Sequence, residues 1–291
     1  MNLTLDHTDE RLIEPTENEG AAVMAVPTID QTPTRRVRMR NVVHGEWIKF
    51  RSVRSTKVTV IAAGAAMVLL GIIFSATAGS DEPARPATLL TDPVQLALAA
   101  SDMSAMIIGV LGVLLIAGEY STGLIRTTIA AVGSRLKVLG SKAVVLAGVS
   151  AVVVAISSVL ALWLGQAFYA GDQATTALTD PDIIGVVLGT TTYLVGIGLI
   201  GLALGAILRS TAAAIGLLVG GVFIVPGLMG LLPDGVTDNV VKFLPSEAGS
   251  AMMSTVSDPD LLSTAAAYGV FAAWVVGLLA VAGVLMKRRD A

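Results

Sequence analysis

The chain has 291 residues, of which 54% are hydrophobic and only 14% are charged, with a net charge of -3. A soluble domain carries about 25% charged residues, so lipid is the natural solvent for this excess of apolar side chains. There is no Cys, and the two His, His7 and His44, lie outside every apolar segment. Thiolate chemistry and a histidine site inside the membrane are therefore excluded. We expect no metal or cofactor in this chain and no nucleic acid as a partner.

The amino-terminal segment, residues 1–34, is polar and acidic and is punctuated by Pro15, Pro27 and Pro33. Few apolar residues and many like charges are typical of chains that do not fold alone. The segment predicts a disordered acidic cytoplasmic tail.

Residues 35–57 turn basic. The positive residues are Arg35, Arg36, Arg38, Arg40, Lys49, Arg51, Arg54 and Lys57. Val43, Trp47 and Phe50 recur among them at helical spacing, which predicts a basic amphipathic helix on the membrane surface. The simpler alternative is a flank that only orients the first membrane span.

Six apolar runs follow, each close to the roughly 20 residues that cross a bilayer as a helix. They are Val58–Ala78, Val94–Ala117, Ala143–Tyr169, Ile183–Leu208, Thr211–Leu232 and Ser263–Met286. The fourth and fifth are separated only by Arg209 and Ser210, so a tight turn is expected there. Ala76-Thr77-Ala78 resembles a signal-peptidase site, but the run lies behind 57 residues and we take it as an uncleaved span. The pattern predicts an all-α integral membrane protein whose six-helix domain covers residues 58–289.

Charge alternates between the connecting segments. Residues 35–57, 118–142 and 287–289 and the turn at Arg209 are basic, whereas the segments near 79–93, 170–182 and 233–262 are acidic. Positive charge close to membrane spans marks the cytoplasmic side. The alternation predicts that both termini are cytoplasmic.

No motif for energy coupling or hydrolysis is present. The sequence lacks G-x-x-x-x-G-K-[ST], G-x-S-x-G and H-E-x-x-H. Asp102 is the one charge clearly inside an apolar run, which makes it a candidate for a transport pathway, unless it reaches the outer surface. Pro226, beside Gly220, Gly221 and Gly227, is a candidate hinge, although membrane helices often tolerate proline.

The connecting segment after the second span begins Gly-Glu-Tyr-Ser-Thr-Gly at residues 118–123 and continues with Leu124, Ile125 and Arg126. Hydroxyl residues followed by an apolar pair are typical of a short helix with a capping start. Such a helix offers a charged docking surface; the alternative is an ordinary solvated loop.

Two of these motifs carry a resemblance. Gly45-Glu46-Trp47-Ile48-Lys49-Phe50-Arg51-Ser52 before the first span, and Glu119-Tyr120-Ser121-Thr122-Gly123 with Ile125-Arg126 after the second, resemble permease subunits of the type-2 ABC exporter family, especially actinobacterial ones. The resemblance covers about residues 40–289.

The resemblance implies a division of labour between chains. Residues 41–57 match the family's interfacial helix, and about 119–137 match the coupling helix that docks on a separate ATPase subunit, which holds ATP and Mg. The implied coupling residues are Glu46, Trp47, Glu119, Tyr120, Ser121, Thr122, Gly123 and Arg126. It further implies a second, identical or different, permease chain and export across the cytoplasmic membrane of a bacterium. Residues 243–253 match an element that dips back into the membrane; an extracellular loop is the alternative.

Three other functions remain open on the residues alone. A secondary transporter or channel would need no ATPase, but we see no internal repeat and few polar residues in the spans. A membrane-embedded enzyme would need convergent catalytic residues, which we do not find. A structural or immunity-type membrane protein would need no docking loop.

Overall fold

The computed structural model of the chain describes residues 38–77, 93–169, 181–229, 231, 240–254 and 262–289, and no strand occurs in these ranges. The predicted tail 1–34 lies outside them. The helices are α1 Met39–Ser52, α2 Arg54–Ala76, α3 Pro93–Ala97, α4 Ser101–Ser121, α5 Leu124–Val132, α6 Arg135–Ala167, α7 Pro181–Leu208, α8 Thr211–Val219, α9 Val225–Met229, α10 Pro245–Met253 and α11 Thr264–Arg288.

Six stretches of helix in the described ranges are long and apolar enough to cross a membrane. They are α2, α3 with α4, α6, α7, α8 with α9, and α11, so the prediction of six spans is confirmed. Mean hydropathy in these windows is between 2.0 and 2.5. The chain has the character of a multi-pass membrane protein.

The centre of the bundle is α7, which contacts α4, α6, α8, α10 and α11. Its closest neighbour is α4, and glycines make the crossing possible. A Cβ on Gly112 would overlap the carbonyl of Gly198, and one on Gly201 would overlap the carbonyl of Gly109. Small residues let membrane helices approach until backbone meets backbone, and dispersion then holds them together.

The spans differ from the sequence prediction in several of their ends and in one internal break. The second run is broken by a turn at residues 98–100, and just before this turn the carbonyl of Ala97 lies against Gly71 of α2. The third span starts at Arg135 and not at Ala143. Its extra two turns carry three positive charges, Arg135, Lys137 and Lys142, and they contact α11 through Arg135 and α1 through Lys142.

The predicted tight turn is confirmed. Arg209 has φ 52°, the left-handed region that a non-glycine residue seldom occupies, and the side chain of Ser210 accepts a hydrogen bond from the amide of Ala213 to cap α8. Between α8 and α9, Gly220–Ile224 forms a π-helical segment.

Candidate functional site

The basic segments meet at one end of the bundle. There the guanidinium of Arg209 lies 5.0 Å from the ring centroid of Tyr120. Arg135 donates to the carbonyl of Met286 at 2.8 Å, and Arg289 donates to the carbonyl of Ile207 at 3.0 Å. We call this the basic end; it comprises α1, α5, the carboxyl ends of α4, α7 and α11, and the amino ends of α6 and α8.

Helix α1 packs on α6 through one face. Val42, Glu46 and Phe50, spaced four residues apart, are buried, whereas Trp47 on the other side is 43% exposed. A carboxylate on the buried stripe of a helix requires a partner, because desolvation of an unpaired charge is costly. The partner of Glu46 comes from α6.

Lys142 of α6 is that partner. Its side chain is 3% exposed, and its Nζ donates to Glu46 Oε2 at 2.9 Å and to Glu119 Oε1 at 2.7 Å. The carboxylates of two other helices offset the cost of removing this amine from water. The contact joins α1, the end of α4 and α6 at one point.

Lys49 extends the contact to α5. Its Nζ donates to Glu46 Oε1 at 3.0 Å, to Glu119 Oε1 at 3.2 Å and to Thr128 Oγ1 at 3.3 Å. Burial lowers the pKa of Lys49, but the hydrogen bond to Glu46 and the charges of Glu119 and Glu46 outweigh it, and the pKa lies above its ordinary value. Glu46, Lys49, Glu119 and Lys142 are called the four-charge cluster below; it carries no net charge.

Helix α5 is delimited by two glycines in the left-handed conformation, Gly123 with φ 72° and Gly133 with φ 70°. Ile125 is buried and anchors the helix, whereas Arg126 is exposed. The hydroxyls of Ser121 and Thr122 both donate to the carbonyl of Gly118 and close α4. The short helix predicted in this loop is therefore present, but it covers 124–132, within the broader range 119–137 matched by resemblance.

Between α5, the carboxyl half of α4 and the junction of α1 with α2 lies a cleft of about 730 Å³. One wall is apolar and includes Leu111, Leu114 and Leu115 of α4. The rest of the lining carries hydroxyls and the four-charge cluster. Within the cluster, Glu119 Oε2 is buried and has no hydrogen-bond partner among the described residues.

Asp102 lies at the opposite end of the bundle, in the first turn of α4, where the helix dipole favours an acid. It is exposed, and it accepts a hydrogen bond of 2.9 Å from the hydroxyl of the fully buried Tyr193 on α7. Glu247 of α10 is close enough to respond to it: burial and then the charge of Asp102 raise the pKa of Glu247.

The predicted element at 243–253 packs into this end of the bundle as α10. Gly249 lies against the ring of Tyr193, and Gly189 of α7 lies against the backbone of Met252. Trp274 Nε1 donates to the carbonyl of Phe243 at 2.8 Å and fixes the start of the element.

Pro226 lies two residues beyond Ile224, the last residue of the π-helical segment. Proline has no amide hydrogen to donate, and the amide of Val225 bonds five residues back to the carbonyl of Gly220. The register of this helix thus changes one residue before Pro226. Such local changes are frequent at functional positions of helices.

Of the residues matched by resemblance, Glu46 and Glu119 meet in the four-charge cluster. Tyr120, Ser121, Thr122 and Gly123 form the turn beside it, and Trp47 and Arg126 are exposed nearby. Asp102 and Pro226 belong to other regions.

Sequence reasoning missed Lys49, Thr128 and Lys142 as site residues. Lys142 begins an apolar helical run, and a charge at that position also suits an ordinary span boundary. Only the three-dimensional meeting with Glu46 and Glu119 separates the two interpretations.

Comparison of the sequence with models of protein families gives no match, and a search of the curated proteins gives none at the significance required. No group of three side chains suited to a metal ion occurs in the described ranges.

Proposed function

We propose that the chain is a permease subunit of an ATP-driven exporter of the type-2 ABC kind. In this proposal it is paired with a second permease chain in the cytoplasmic membrane of a bacterium, and a separate ATPase subunit hydrolyses ATP. The observation that carries the proposal is the four-charge cluster, because it mechanically joins an exposed short helix, α5, to α1 and to two membrane helices. The resemblance of the motifs around Glu46 and Glu119 supports it.

The basic end is assigned to the cytoplasm. Lys and Arg residues near membrane spans are retained on that side, and the four basic segments of the sequence converge there in contacts such as Arg135 with α11. Both termini are then cytoplasmic, and α1 lies at the membrane surface with Trp47 outward.

In this mechanism the partner pushes on the exposed side of α5, around Arg126. The displacement passes from Thr128 to Lys49, and through Glu119 to Lys142. Because Lys142 also holds Glu46, α1 and α6 move together with α5. Glu119 acts inside the permease as a positioning residue, and Arg126 and Trp47 face the partner or the lipid surface.

The test uses the exposed cation of α5. We expect Arg126→Glu to reduce recovery of a stoichiometric P-loop ATPase with the tagged chain by about tenfold, as loss of a charged interface contact would. Arg288→Glu, which changes another exposed cation at the same end but on α11, is the matched control and keeps the ATPase. The measurement is affinity purification in mild detergent with mass spectrometry.

A clean preparation without ATPase from native membranes, after crosslinking as well, would overturn the proposal. One observation favours the alternative, a secondary transporter or channel: Asp102 and Glu247 share a region with a buried tyrosine hydroxyl. In that case transport follows an ion gradient, and Asp102→Asn abolishes it without any ATPase.

A further inference from the structure

A groove of about 350 Å³ runs between the amino end of α6 and the carboxyl end of α11. Each helix lines it with one face, and the lining residues are Leu136, Leu139, Gly140 and Ala143 of α6 and Leu279, Ala280, Gly283, Val284 and Lys287 of α11. The glycines and alanines among them have no side chain long enough to fill the space between the helices.

The groove has a closed floor and an open side. Gly283 is buried, and a Cβ on it would lie 3.1 Å from Leu136 Cδ2, so the two helices touch there. Val284 is 49% exposed and Leu136 is 41% exposed. All the lining residues belong to stretches of helix that are long and apolar enough to cross a membrane. In a bilayer the open side therefore meets lipid.

The groove is apolar along most of its length and positive at one end. Since α6 begins and α11 ends at the basic end, Lys287 lies at the outer end of the groove and Leu279 lies about 12 Å deeper, eight residues of helix away. An occupant that fits both parts has a polar head at the end of α11 and an apolar chain directed toward the middle of the bundle. A lipid of the adjoining leaflet already has this orientation.

The charge at this end selects the head. Lys287 is exposed and makes no hydrogen bond or ion pair within the part of the chain that the structure describes. Lys137 and Arg288 are its neighbours in sequence or across the groove, and neither α6 nor α11 contains an acid. In the sequence, the single acid Asp290 follows three consecutive cations at 287–289. Clusters of Lys and Arg between membrane helices attract anionic lipid heads.

We propose that this groove binds an anionic phospholipid. The phosphate lies beside the ammonium of Lys287, and one acyl chain lies along Leu139, Ala143 and Leu279. A zwitterionic lipid presents the same phosphate with an added cation, which the surrounding positive charges repel. The site requires no ATPase and extends beyond the function proposed above.

The test uses the full chain in nanodiscs of phosphatidylcholine, in which phosphatidylglycerol with the same acyl chains is substituted stepwise. The midpoint of thermal unfolding is followed, because a ligand of the folded state raises it. We expect the midpoint to rise and to level off while most of the bilayer is still phosphatidylcholine, since a single site saturates. Native mass spectrometry of the released chain is expected to show retained phosphatidylglycerol.

Variants locate the effect. Val284→Trp fills the groove and removes both the rise and the retained lipid. Val281→Trp is the matched control, because Val281 lies on the same helix, is 48% exposed and is outside the groove, and it keeps both. If Val284→Trp does not fold, Ala280→Phe fills the same groove from the next turn and is expected to act in the same way.

The charge is tested separately. Lys287→Gln is expected to weaken the apparent affinity for phosphatidylglycerol about fivefold, the effect of one cation close to an anionic lipid surface. Lys57→Gln removes an exposed lysine near the start of α2, outside the groove, and keeps the affinity.

Three results would overturn the proposal. The first is a midpoint that does not respond to phosphatidylglycerol. The second is a response that grows without levelling off and is equal in Val284→Trp and Val281→Trp, which would show attraction to a charged surface only. The third is a Val284→Trp chain that keeps its bound lipid but loses a second copy of the chain in native mass spectrometry, which would make the groove a contact between copies.

Discussion

At the scale of single residues, Lys142 is the most constrained charge of the basic end. It is 3% exposed and is held by Glu46 and Glu119, which come from two different helices. Removal of one partner from a buried ion pair leaves the other charges uncompensated, which typically costs about 3 kcal/mol or more. The cluster thus fixes the register of α1 against α6 more than it adds to stability.

We expect Lys142→Met to lower the free energy of unfolding by about 3 kcal/mol and to release α1 from α6, because two carboxylates lose their shared cation. The measurement is reversible unfolding in mixed micelles, with limited proteolysis after α1. Lys287→Met, an exposed lysine at the same end, is the control and changes little. If Lys142→Met is as stable as the wild type, the four-charge cluster does not stabilise the fold.

A second residue, Glu247, makes stability depend on pH. Its folded pKa is raised by burial and by Asp102, so its neutral form is favoured in the folded state. The stabilisation of the fold by protonated Glu247 is therefore complete when the pH is below the ordinary pKa of 4.5. It is lost as the pH rises through the raised pKa of the folded state.

Glu247→Gln is accordingly expected to raise the midpoint of thermal unfolding at pH 7, and the difference from wild type is expected to vanish near pH 4. Asp102→Asn keeps an acceptor for Tyr193 and should be mild for folding while reducing the pH dependence. If Glu247→Gln shifts the midpoint by the same amount at pH 7 and at pH 4, ionisation of Glu247 is not the source of the pH dependence.

At the scale of elements, the close crossing of α4 and α7 depends on glycines, which have no side chain to hold the two backbones apart. Gly201 meets the carbonyl of Gly109, and Gly112 meets the carbonyl of Gly198. We expect Gly201→Val to force the two helices apart and to abolish the folded, detergent-stable chain. Gly216→Val on α8 is the control, because a Cβ there meets nothing within 4 Å. Thermal stability after extraction is the measurement, and equal behaviour of the two variants would contradict the account.

Element existence could be predicted from the sequence because a membrane span is a local property: about 20 apolar residues suffice. The turn at Arg209 also followed from length alone. Element ends could not be predicted, since the polar start of α6 is stabilised by distant partners such as Met286. The close approach of Ala97, at the end of α3, to Gly71 of another helix is likewise not visible in any local sequence pattern.

The candidate site was only half predictable for the same reason. Glu46 and Glu119 were found through motifs, but 73 positions separate them, and nothing local indicates that Lys142 joins them. Lys49 lies within the basic segment, where a charge is expected for membrane orientation. Its three partners come from three elements and are visible only in the folded chain.

At the scale of the whole molecule, the two ends of the bundle differ in kind. The described residues of the basic end are tied by charges across helices, such as Lys142 with Glu119. The other end is tied by an aromatic contact, with the rings of Tyr193 and Phe271 5.7 Å apart, and by one acid that accepts from the tyrosine. A force applied at the basic end therefore acts on several helices that are joined to one another by ion pairs.

The turn at Arg209 and Ser210 has a consequence for biogenesis. Two residues extend less than about 8 Å, far short of the roughly 30 Å of hydrocarbon, so α7 and α8 have no connection that lets one enter the bilayer long before the other. The pair has to be inserted as one helical hairpin, with Arg209 left on the side of the basic end. A protease added to that side would find no loop to cut between them.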